Sequence, residues 1–78
     1  MDIMAKKNAL FASIDVSTRR KRKAVTHLII DILIKIRFAE QEYLGRIPLH
    51  LRGSTDHTAT EETIDTLIAA TVALSEAF

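Results

Sequence analysis

The chain has no cysteine, no tryptophan, one proline and two glycines, and beyond Arg52 it has no lysine or arginine. Without cysteine there is no disulfide and no thiolate metal site, and the composition suits a reducing compartment. The four aromatic residues, Phe11, Phe38, Tyr43 and Phe78, fall mostly on apolar stripes and offer no platform for stacking bases. With glycine only at positions 45 and 53, no glycine-rich phosphate loop can be written. The longest dense apolar stretch, Leu28 to Ile36, is broken by Asp31 and Lys35. It falls far short of the ~18 uninterrupted apolar residues that read as a membrane span. Lys6 and Lys7 ahead of Ala9–Ile14 imitate a secretion signal faintly, but Asp15 follows at once and no small-residue cleavage site is evident. The expectation is a cytoplasmic protein that does not enter a membrane.

Seventy-eight residues make one domain, taken here as 1–78. A chain of that size buries only roughly 60% of the surface it exposes when unfolded. Small folds compensate with disulfides, a metal or association. Cysteine is absent and only His27, His50 and His57 supply imidazoles, so self-association is the expected route. A hydrophobic fraction of 47% with 27% charged residues excludes a disordered chain.

What is present is helical periodicity. From Ser17 to Leu44 there is neither glycine nor proline, and Val25, Ile29, Ile32, Ile36, Ala39 and Tyr43 recur four and three apart. That spacing is one stripe of an α-helix. Leu28, Ile30, Ile32, Ile34, Ile36 and Phe38 also alternate as a strand would, but strands run about 5–6 residues and nothing within the segment could turn. The sequence therefore predicts a helix over 17–44, capped by Ser17 or Asp15 and stopped by Gly45 and Pro48. Around His27, Asp31, Lys35 and Glu42, a narrow polar stripe, nearly everything from Val25 to Ile36 is apolar. One partner helix covers a stripe of only ~100°. The surplus residues Ile30, Leu33 and Ile34 are therefore assigned to an oligomer face.

A second helix is expected over 58–77, with Thr58 and Glu61 as a capping box and Glu61, Glu62 and Asp65 favourably placed against its dipole. Its inward stripe is Ile64, Leu67, Ile68, Thr71, Leu74, Ser75 and Phe78, and Ala69, Ala70, Ala73 and Ala77 allow close approach. The connection 45–57 is expected to be ordered, with Ile47, Leu49 and Leu51 closing the end of the core. Residues 3–14 are expected to add a short helix, with a strand at Leu10–Val16 as the alternative. The fold class is all-α: an antiparallel helical hairpin with a short N-terminal helical segment, oligomeric.

The connection also carries a resemblance. Glu42-Tyr43-Leu44, Ile47-Pro48, Leu51, Gly53-Ser54 and Glu61-Glu62-x-Ile64-Asp65-x-Leu67 resemble small helical-hairpin proteins of bacterial and phage genomes, for which no activity is assigned. Their usual loop reads Ile-Pro-Glu-Asn-Leu-Gln-x-Ser, and an acidic amphipathic helix ending Leu-x-Glu-Ala follows an aromatic; Leu74-Ser75-Glu76-Ala77 matches that ending. The likeness spans about residues 39–77. Leu49, His50 and Arg52 depart from the loop pattern, and His57 stands near the usual aromatic. The resemblance implies a helical hairpin in a phage or mobile-element setting.

Charge is segregated. Residues 17–37 carry seven Lys/Arg against one Asp, whereas residues 54–78 carry five acids and no Lys or Arg. The run Arg19-Arg20-Lys21-Arg22-Lys23 opposes the dipole at a helix start, so a nearby anion would relieve it. That anion could be Glu76 with the chain's own C-terminal carboxylate across the antiparallel hairpin, an acidic protein partner or nucleic-acid phosphate. Catalytic constellations are weak. His27 and Asp31 share a helix face as a base and its orienter would, yet with Lys35 they read more simply as a solvated face. His50, Asp56 and His57 lack the spacing of a metal site.

The expected function is therefore non-enzymatic, with no cofactor: a small helical interaction protein that self-associates and binds another protein. The alternatives are a nucleic-acid-binding regulator using Arg19–Lys23, or an inhibitor docking on a host or defence protein.

Overall fold

The computed structural model describes residues 13–78, and among them there are two long helices and no strand. Helix α1 runs Arg19–Arg46, 28 residues. A 3-10 turn at Leu49–Leu51 leads to helix α2, Thr55–Ser75, 21 residues. The two helices pack on each other as a hairpin. The short helix expected over 3–14 lies almost wholly outside the described residues.

Each helix end follows from local chemistry, with shifts from expectation. Thr18, not Ser17 or Asp15, caps α1: its backbone is extended and its Oγ1 accepts from the Lys21 N–H at 3.1 Å. Gly45 does not stop α1, because a glycine in a last turn weakens a helix without breaking it. The stop comes at Ile47, which precedes Pro48 and is held extended at ψ 125°. At α2 the expected capping box at Thr58 is corrected. Ser54 is the cap, its Oγ accepting from the His57 N–H at 3.3 Å, and Thr58 N–H already donates to the Ser54 carbonyl at 2.9 Å. Gly53, at φ 85°, makes the left-handed turn that delivers Ser54 to this position.

The connection is ordered by its own backbone. Ile47 N–H donates to Leu44, Leu51 to Pro48, Arg52 to Leu49 and Ser54 to Leu51, at 2.9–3.2 Å. Ile47 is buried, as expected, but Leu49 is 77% exposed and Leu51 45%. The expected alternation fails for Leu49 and Leu51 because a 3-10 turn places neighbours about 120° apart and not on opposite faces.

The stripe α1 turns inward also differs from expectation. Its half-buried positions are Thr26, Ile30, Leu33, Arg37, Glu40 and Leu44, spaced four and three apart, with Val25 and Ile34 half-buried beside them. This set is the expected stripe displaced by one residue, about 100° around the helix. On α2 the seam is His57, Thr60, Ile64, Leu67, Thr71 and Leu74, which includes most of the expected inward stripe; Ser75 and Phe78 are exposed, and Ile68 is 37% exposed. Threonines tolerate the seam because their hydroxyls donate one turn back, Thr60 to Asp56 at 2.8 Å and Thr71 to Leu67 at 2.8 Å. Among the described residues only Ile47 and Ile64 are buried hydrophobics.

Candidate interaction surfaces

The basic run occupies the first turn and a half of α1, fully on the surface. Its counter-ion is local. Asp15, three residues before the cap, accepts from the Ser17 N–H at 2.9 Å and pairs with the Lys21 ammonium. The Lys21 ammonium, with help from Ser17, lowers the Asp15 carboxyl from 3.8 to about 2. Arg22 donates to the Val16 carbonyl at 3.0 Å, and the Arg19 guanidinium lies 5.1 Å from the centre of the Phe78 ring across the hairpin. Arg20 and Lys23 have no such partner among the described residues. Sequence reasoning proposed Asp15 as a helix cap and missed it as the counter-ion. The signal was there: an acid six residues before Lys21, next to a helix whose first turn has none.

At the other end, the tip, Tyr43 donates its hydroxyl to the Asp56 carboxylate, which with its negative charge raises the phenol pKa above 10.0. Arg46 pairs with Glu42 at 2.8 Å. A cleft of about 200 Å³ lies here, lined by Tyr43, Arg46, Ile47, Pro48, Leu51 and Asp56, among others. His57 Nδ1 stands 2.9 Å from Glu61 Oε1 without the alignment of a hydrogen bond. His27, Asp31 and His50 are exposed and stand apart from this cluster. No three His, Asp or Glu side chains converge among the described residues.

The third surface is apolar. Ile29, Ile32, Ile36 and Tyr43 are 43–50% exposed, and with half-buried Val25 they run most of the length of α1. Ile30, Leu33 and Ile34, assigned from sequence to an oligomer face, are instead half-buried within the single chain. The two stripes have exchanged places: the one read as the hairpin seam faces outward. The physical reason is that both are periodic and apolar, so periodicity alone could not choose between them. The bond from Tyr43 to Asp56 fixes which flank of α2 continues the outward surface. Thr63, Ala70 and Ala77 follow Asp56 at seven-residue intervals on that flank, so it is built of small side chains. An open trough of about 440 Å³ lies alongside, over Ala59, Glu62, Thr63, Thr66 and Leu67.

By its fold, then, the protein is an all-helical hairpin, and no helix among the described residues is long and apolar enough to cross a membrane. No family model, curated protein or solved structure matches the chain.

Proposed function

We propose that this protein is a non-enzymatic, cytoplasmic helical interaction module that self-associates and binds another protein. The loop resemblance supports a phage or mobile-element setting, where docking on a host or defence protein is one form such binding takes. The observation that carries the reading is the outward stripe at Ile29, Ile32 and Ile36, which is more apolar than the hairpin's own seam with its Thr26, Arg37 and Glu40. Light scattering coupled to size exclusion should give at least twice 8.8 kDa. Melting temperature should also rise with concentration, since association stabilises by mass action. A monomer at micromolar concentration whose melting is independent of concentration would end the reading.

A second reading rests on Arg20 and Lys23, which no acid of the described chain neutralises. If the basic run meets duplex DNA, each phosphate neutralised contributes about −0.9 to the slope of log K against log salt. Arg20→Ala with Lys23→Ala should then flatten the slope by roughly two units. Binding undetectable at physiological salt eliminates this reading and leaves the first intact.

A further inference from the structure

Resting on the self-association proposed above, we infer that the occupant of the outward stripe is a second copy of this chain, packed antiparallel across a two-fold axis to make a four-helix bundle. Three observations bear on this.

The first is charge. The five residues Arg19–Lys23 at one end of α1 are all cationic, while positions 40–65, around the tip, carry six acids against two arginines. Side by side in parallel, two copies would set cation on cation and acid on acid. Antiparallel, each basic end meets the partner's acidic tip, and the two-fold axis makes both meetings at once. Like charges facing one another across an interface strongly disfavour an arrangement.

The second is how the surface is built. Val25, Ile29, Ile32 and Ile36 form a straight apolar ridge, and the adjoining flank of α2 is low, with Thr63, Ala70 and Ala77. The half-turn that sets basic end against acidic tip lays α1 of one copy antiparallel along α1 of the other, ridge along ridge, and sets the two low strips of α2 opposite each other. The third is extent. The ridge with Tyr43 spans residues 25–43, about 27 Å at 1.5 Å per residue, long enough for a standard interface.

The chain's lack of cysteine makes the test direct. A single nitroxide on Ser17→Cys, at the basic end, reports orientation by pulsed dipolar spectroscopy. Antiparallel packing sets the two labels about 40–50 Å apart, from the 1.5 Å rise between position 17 and the opposite end. Parallel packing brings them within about 20 Å and overturns the inference while leaving self-association standing. A mass other than two chains overturns the two-fold pairing. Ile32→Glu should weaken the dimer at least about 30-fold, and Phe38→Glu, on another side of α1, should leave it nearly unchanged. The reverse ranking would place the contact elsewhere and refute the proposal. A monomer destabilised by Ile32→Glu would mean that the ridge is covered within the single chain, and would refute both the inference and the reading it rests on.

Discussion

Two stripes of α1, one residue out of register, have opposite fates. The inward stripe holds Thr26, Ile30, Leu33, Arg37, Glu40 and Leu44; the outward one holds Val25, Ile29, Ile32, Ile36, Ala39 and Tyr43. The more apolar of the two faces solvent. Hydropathy tells how much a surface gains from leaving water; it does not tell which partner removes it. Within one chain the inward choice is set by the ends of the hairpin. Tyr43 bonds Asp56 at the tip, and Arg19 lies over Phe78 at the open end. Pro48 and Gly53 fix the turn that rotates α2 into place.

The comparison breaks most visibly at α2. Ile64 is 7% exposed and faces the inward stripe. Ile64→Ala should cost about 2–4 kcal/mol and collapse helicity by circular dichroism at any protein concentration. Ile32→Ala, on the outward stripe, should change the stability of an isolated chain by less than about 0.5 kcal/mol and act on association alone. Equal losses for the two at high dilution would show that the stripes are not distinct.

The two glycines sharpen the contrast between helix and turn. Gly53 sits at φ 85°, so Gly53→Ala should destabilise by about 1–2 kcal/mol in a thermal or urea melt. Gly45 lies inside α1 with open space where a Cβ would stand, and Gly45→Ala should stabilise by about 0.5–1 kcal/mol. A gain from both would mean that the turn does not need its left-handed residue.

The smallest effects are expected from pH, and they differ between the two ends. At the basic end the folded Asp15 carboxyl lies at about 2, below its ordinary 3.8. Its contribution is present above pH ~4 and is lost as pH falls toward 2, because the unfolded chain takes up the proton first. Asp15→Asn should remove that part of the acid sensitivity. At the tip the Tyr43 phenol is raised by Asp56, so its contribution is present below pH 10 and is lost above it. Tyr43→Phe should flatten the alkaline limb of a plot of melting temperature against pH, and Asp15→Asn should leave that limb unchanged. Crossed effects would show that the two ends are coupled.

Reading the sequence located every boundary of both helices within three residues, the largest miss falling where local turn chemistry competed at the start of α2. Thr58 looked like a cap because a glutamate follows three residues later, but Gly53-Ser54 offered an earlier start, and the first competent cap wins. Leu49 and Leu51 looked like an alternating pair because His50 between them is polar; the 3-10 turn has another period. The basic run was legible as a patch, and its anchoring by Asp15, Val16 and Phe78 was not, since those contacts depend on where the chain enters α1 and where α2 ends.

The sequence by itself determined that this chain is helical, that one turn joins two long helices, that positive and negative charge are sorted to different segments, and that α1 has more apolar surface than one helix can cover. All of these follow from local periodicity, capping chemistry and composition. Only the tertiary structure decided which stripe of α1 is spent inside the hairpin and which is left outside, because a rotation of 100° about a helix axis leaves every local interaction unchanged and alters only what lies opposite.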